Sequence, residues 1–127
     1  CQSATRPASS RPMWLVTTFG FFSIVSKPGD AARAVLTVRA RSAADLERLR
    51  TQYLPELGPM ERHTGTDYAF RARAPKEAVC RAFAAALNDV DYSNFKGRVA
   101  ERDPGRAGLY GRVWDVLGRI PEEDDGQ

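Results

Sequence analysis

Four arginines at alternate positions of two short segments are the residues here best suited to act on a ligand. Thr37-Val38-Arg39-Ala40-Arg41 and Ala69-Phe70-Arg71-Ala72-Arg73 echo each other thirty-two residues apart, each alternating apolar with basic positions. Alternation at period two sends successive side chains to opposite faces of a strand. Leu36, Val38 and Ala40 are therefore expected to face a core, as are Tyr68, Phe70 and Ala72. Arg39, Arg41, Arg71 and Arg73 are expected on the other face, sharing one surface if the strands are neighbours. A guanidinium is a planar fork that matches carboxylate and phosphate in two-point contacts. The chemistry such a surface supports is recognition of an anionic small molecule or of a nucleic-acid backbone.

Sheet-face readers of RNA add exposed aromatics on which bases stack. In this chain the aromatic beside each arginine is expected to point inward. Trp14, Phe19 and Phe21 supply stacking only if the first strand edges the same face. The plain alternative is a solvated face whose arginines pair with Glu or Asp of the C-terminal helix.

A second candidate is the connection Asp91-Tyr92-Ser93-Asn94-Phe95-Lys96, where Asp91, Tyr92, Asn94 and Lys96 could line one end of a pocket. The same residue types cap helices and build Asx turns without any ligand. His63 is the only histidine. With Asp67 and Cys80 it makes a conceivable general-base trio, but no spacing supports one, and a histidine beside a turn is ordinarily a surface residue. Glycine-rich phosphate loops, dinucleotide fingerprints, Cys-x-x-Cys and His-Glu-x-x-His are absent from the sequence. Nucleotide hydrolysis, dinucleotide chemistry, thiol redox work and zinc proteolysis therefore lack support. A non-enzymatic module without metal or cofactor is the expectation.

The elements that must position the arginines follow from patterning. Residues 14–26 are rich in Trp, Phe, Val, Ile and Thr and read as a strand. Lys27-Pro28-Gly29-Asp30 is a turn signal, and Val35–Arg41 a second strand paired with the first. Ser42, with Asp45 three residues on, predicts a capped helix carrying Leu46, Leu49, Tyr53 and Leu54. A short strand at Met60–Thr64, the strand Asp67–Ala74, and a helix from Pro75 with Val79, Phe83, Ala86 and Leu87 as its stripe come next. Val90–Tyr92 reads as a brief strand, and Ser93–Arg102 as an ambiguous segment that Ser93 could cap as a helix. A last helix spans Arg106–Ile120, its apolar positions Leu109, Val113, Val116, Leu117 and Ile120. On it Tyr110, Arg112 and Trp114 form a conceivable partner surface, with Trp114 expected in the core.

This order predicts an α+β fold, a ferredoxin-like split βαββαβ with an added N-terminal strand and C-terminal helices. In that plan the two arginine strands are central antiparallel neighbours, and helices leave the opposite sheet face open. Residues 1–12 read as a disordered extension, 13–120 as one α+β domain and 121–127 as an acidic tail. The net charge of +3 divides into +2 from Arg6 and Arg11, −4 from Glu122, Glu123, Asp124 and Asp125, and +5 over 13–120. Sixteen of the nineteen basic residues are arginine, a bias that a GC-rich genome also produces. No apolar run approaches the roughly 20 residues of a membrane span. Cys80 is expected as a small hydrophobe in a helix, unpaired with Cys1, which fits a reducing cytoplasm. A lipoprotein anchored through Cys1 is the alternative, with Met13 as a native start the stronger reading. An apolar first-strand edge, or the open sheet face, also suits a homodimer or partner interface.

Met13-Trp14-Leu15, Gly20-Phe21-Phe22-Ser23, Lys27-Pro28-Gly29-Asp30, Val38-Arg39-Ala40-Arg41, Asp67-Tyr68, Asp91-Tyr92-Ser93-Asn94-Phe95-Lys96 and Arg112-Val113-Trp114 together resemble a small bacterial family of unassigned activity. The resemblance covers residues 13 to about 120, with a last helix richer in glycine than the family pattern. It implies a bacterial, cytoplasmic, stand-alone domain, and no activity, cofactor or catalytic residue.

Overall fold

Residues 13–25 form two strands of the sheet. In the computed structural model, which describes residues 12–91 and 95–121, the expected single strand over 14–26 divides into β1 (Met13–Thr17) and β2 (Gly20–Val25). Thr17 makes the break. Its Oγ1 accepts from the backbone N–H groups of Phe19 and Gly20 at 3.1 and 3.0 Å and donates to the Gly20 carbonyl at 2.7 Å, closing a two-residue turn. Gly20 has φ 157°, and a Cβ there would sit 2.8 Å from the Asp45 carboxyl carbon and from the Phe22 ring. Only glycine allows that approach.

After the Lys27–Gly29 turn come a four-residue helix α1 (Asp30–Arg33), β3 (Val35–Ala40), α2 (Ala43–Gln52), β4 (Glu61–Arg62), β5 (Phe70–Pro75) and α3 (Lys76–Asn88). α4 (Phe95–Arg102) and α5 (Pro104–Leu117) complete the described chain. The fold is α+β, with a five-stranded antiparallel sheet in the order β1-β2-β3-β5-β4. The arginine strands β3 and β5 are central neighbours, as the sequence predicts. β2 pairs with the other side of β3, as expected of the first strand and the second. Of the brief strand expected at Val90–Tyr92, Val90 and Asp91 belong to no strand, and Tyr92 lies outside the described residues. β2 brings Phe22 and Ile24 into the core, whereas Val90 is 69% exposed.

Helices α2 and α3 pack on one sheet face. The core there is built from Phe22, Val38, Ala40, Ala72 and Ala74 of the strands against Leu46, Leu49, Val79 and Ala82 of the helices. Two expectations for these helices change. Leu87, placed on the apolar stripe of α3, is exposed, and Ala78 and Ala82 face the core instead. Ser42 flanks α2 without a side-chain cap, and Asp45 is no capping-box partner. Buried Asp45 accepts from the Phe21 N–H at 3.0 Å and pairs with Arg48, whose Nε donates to the Phe19 carbonyl at 2.8 Å. The pair ties the β1–β2 turn to α2.

The chain divides into two compact units, Cys1–Val90 and Asp91–Gln127. In the second, α4 resolves the ambiguous segment as a helix, with Val99 buried and the Phe95 and Tyr110 rings stacked at 5.8 Å. Asp103 caps α5 by accepting from the Arg106 N–H at 3.0 Å, and Pro104 occupies the first turn, where its missing N–H costs nothing. α5 ends at Leu117, three residues before the expected Ile120, and Tyr110 is its buried residue. Leu109, Val113, Val116, Leu117 and Ile120 are exposed, and so is Trp114, expected in the core. Residues 1–11 with Cys1, the expected Ser93 cap and the acidic residues from Glu122 onward lie outside the described residues.

Candidate functional site

Strand register alone builds a row across one sheet face. Trp14 pairs with Ser23, Ser23 with Arg39, Arg39 with Arg71 and Arg71 with Glu61. Side chains at paired positions point to the same face. Because Val38, Ala40, Ala72 and Ala74 fill the helix-covered side, this row stands on the other. Thr37 and Arg73 form the next pair along.

The four arginines meet there, but they meet different partners. Arg73 Nη1 bonds Glu61 Oε2 at 2.8 Å, and its Nε lies 4.0 Å from Asp30 Oδ1. Asp30 is almost fully buried. Its Oδ2 accepts from Thr37 Oγ1 and from the Lys27 N–H, both at 2.8 Å, and Arg33 approaches Oδ1 at 3.5 Å. His63 Nε2 lies 3.2 Å from Glu61 Oε1. Hydrogen bonds from His63 and then from Arg73 hold the Glu61 carboxyl below the usual glutamate range. At this corner the solvated, paired face anticipated as the plain alternative is what forms, with carboxylates supplied by β4 and α1.

Arg39, Arg41 and Arg71 are arranged otherwise. Among the described residues no carboxylate lies within 4 Å of any of them. Arg39 Nη2 donates to Ser23 Oγ at 2.7 Å, and its Nε is buried without a hydrogen-bond partner. Arg71 Nε donates to the Tyr68 carbonyl at 3.3 Å. The Tyr68 ring lies under two cations, 4.6 Å from the Arg39 guanidinium carbon and 5.5 Å from that of Arg41. Tyr68 is buried, as expected, and the neighbours of its ring include these two arginines. It precedes β5, which starts at Phe70, so period-two counting does not reach it. Phe70 and Ala72 do face the core.

Tyr68 also continues an aromatic series over this face. Its ring centroid is 6.3 Å from Phe21, and Phe21 meets Trp14 edge-on at 5.8 Å. Trp14 is 70% exposed. Phe19, grouped with these two as a candidate for stacking, packs instead with Phe22, Tyr53 and Phe83 in the core.

The remaining candidates lie in several parts of the chain. Asp91 and Lys96 belong to the second unit, where Asp91 Oδ2 pairs with Arg98 at 3.1 Å and Lys96 is exposed on α4. Tyr92 and Asn94 lie outside the described residues. His63, Asp67 and Cys80 share no hydrogen bond, and each is exposed. Cys80, expected as a buried hydrophobe, lies on the rim of an apolar groove of about 490 Å³ between β1–β2 and α3. Among the described residues no cluster of three His, Cys, Asp or Glu side chains could hold a metal ion, and no helix is long and apolar enough to cross a membrane.

Sequence reasoning missed Asp30 and Ser23. Both sit in turn- or strand-forming contexts that account for their residue type, so only register exposes their contact with the arginines. Neither a family model nor a curated protein nor a solved structure matches this chain.

Proposed function

We propose that the protein is a non-enzymatic binding module whose open sheet face takes an anionic ligand on Arg39, Arg41 and Arg71. One observation carries this reading: Arg39 and Arg71 are direct cross-strand partners with no carboxylate between them. Like charges placed opposite each other in a sheet repel. A phosphate or carboxylate seated between the two guanidinium groups removes that repulsion and accepts bonds from both. Ser23 and Tyr68 hold Arg39 in place, so less side-chain freedom is lost on binding. Arg73 is occupied by Glu61 and Asp30 and serves as the wall of the site.

The test is calorimetric titration of the full chain with inorganic tripolyphosphate at low salt. Arg-dependent binding that fades as salt rises is expected. Equal affinity in a folded R39A/R71A double variant overturns the assignment.

A second reading rests on the sheet edges. β4 exposes only Glu61 and Arg62, a short charged edge of the kind that blocks strand addition, whereas β1 (Met-Trp-Leu-Val-Thr) carries no charge. An unprotected edge suits pairing with a second copy or a partner strand. Sedimentation separates the readings, because an apolar dimer persists at a salt concentration that abolishes anion binding.

A further inference from the structure

The edge of the arginine site on β1 is aromatic, and its placement narrows the ligand. Trp14 stands in the same lateral row as Ser23, Arg39 and Arg71, two strands from the first guanidinium. Neighbouring strands are about 4.8 Å apart, so the Trp14 backbone lies roughly 10 Å from that of Arg39. Between them the rings of Phe21 and Tyr68 form a continuous series, with centroid separations of 5.8 and 6.3 Å, that ends under the Arg39 guanidinium. The indole touches Phe21 edge-on yet stays 70% exposed, beside the exposed Val16, and so presents apolar surface to solvent. A bare inorganic anion would engage the arginines and leave this surface wet.

We propose that the anion is single-stranded nucleic acid, its phosphates on Arg39 and Arg71 and its bases stacked on Trp14 and Phe21. The inference rests on the anion-binding reading above. Three chemical points favour it. Every base has an apolar π-face, and stacking on aromatic side chains is the sequence-tolerant part of single-strand binding. Guanidinium groups give two-point contacts to phosphate and also stack on ring planes, so Arg41, exposed over Tyr68, can serve either component. On this sheet face aromatic and cationic side chains stand side by side. That arrangement reaches bases only when they are unpaired.

The experiment measures fluorescence anisotropy of labelled hexathymidylate with the full chain at low salt. Unlabelled competitors are an abasic hexanucleotide of equal phosphate count, thymidine monophosphate and inorganic tripolyphosphate. Hexathymidylate is expected to bind about tenfold or more tightly than the abasic strand, since one stacked base contributes about 1–3 kcal/mol. Trp14→Ala should remove about that factor for hexathymidylate and leave tripolyphosphate binding unchanged. In a Trp114→Phe background, hexathymidylate should quench the fluorescence of Trp14, a readout that keeps the native Trp14 in place. Equal binding of hexathymidylate and the abasic strand, with Arg39- and Arg71-dependent affinity intact, overturns the nucleic-acid assignment and leaves the anion site standing. Thymidine monophosphate binding as tightly as the hexamer also overturns it, pointing to a free nucleotide. Absence of binding by both hexathymidylate and tripolyphosphate overturns both proposals together.

Discussion

Arg73 and Arg39 leave adjacent strands on the same sheet face, yet they live in opposite electrostatic settings. Arg73 sits between Glu61 and buried Asp30. Arg39 faces another arginine across the strand pair and rests on a tyrosine ring. The first corner is internally neutralised and behaves as structure. The second keeps its charge uncompensated while its geometry is held by a hydroxyl and an aromatic ring. Arginine count therefore says little about binding. What matters is which carboxylates the topology delivers, and here β4 and α1 deliver theirs only to Arg73.

The comparison is broken most severely by Asp30→Ala. That change leaves the Thr37 hydroxyl and the Lys27 N–H without their acceptor and removes the charge 4.0 Å from Arg73 Nε, and unsatisfied buried groups cost about 1–3 kcal/mol each. A stability loss of about 3 kcal/mol with an unchanged urea m-value is expected. A loss below about 1 kcal/mol would mean that the paired corner is not structural.

Next in size is the Arg39→Ala, Arg71→Ala pair, which tests the other corner. Tripolyphosphate affinity should fall more than tenfold, about 1.4 kcal/mol. Stability should move by less than about 1 kcal/mol, because removing a like-charged cross-strand pair offsets the lost Ser23 and Tyr68 contacts. A large destabilisation would place these arginines with Arg73, as structure.

Tyr68→Leu sharpens the contrast. It deletes the ring under Arg39 and Arg41 and its contact with Phe21, and should cost about 1 kcal/mol in urea unfolding. Anion affinity should fall with it, since the guanidinium groups lose their rest. Unchanged affinity would show that Tyr68 does not preorganise the site.

The smallest effect is a titration. Glu61 is held below its ordinary pKa of about 4.3 by His63 and Arg73. Its contribution to stability is therefore present above the unfolded-state value and is lost as pH falls through the lower folded value. Because Glu61 is half exposed, the contribution is small. Arg73→Ala should raise the Glu61 midpoint in an NMR titration and leave anion binding nearly intact. An unmoved midpoint would deny the Glu61–Arg73 bond.

Much of the scaffold was legible in the residues. Period-two alternation places Val38, Ala40, Ala72 and Arg39, Arg71, Arg73 on opposite faces whatever the surroundings, because strand geometry leaves no third option. The α+β class, both helices after the arginine strands and the antiparallel neighbourhood of β3 and β5 follow from the same local patterning. Where strand periodicity stops, so does the inference: Tyr68 lies two residues before β5, and alternation does not tell that its buried ring lies against Arg39 and Arg41.

Tertiary contacts alone decided the rest. Val90 and Asp91 join no strand, because Val90, apolar and β-branched as it is, finds little burial where it lies. Asp45 became a tie to the β1–β2 turn, where its spacing from Ser42 had suggested a helix cap. The division of the arginines into paired and unpaired sets depends on Glu61 and Asp30, which local patterning does not link to residue 73. Register is set by the sum of packing over the whole sheet, so sequence determined which side chains share a face, and only the assembled sheet determined which of them touch.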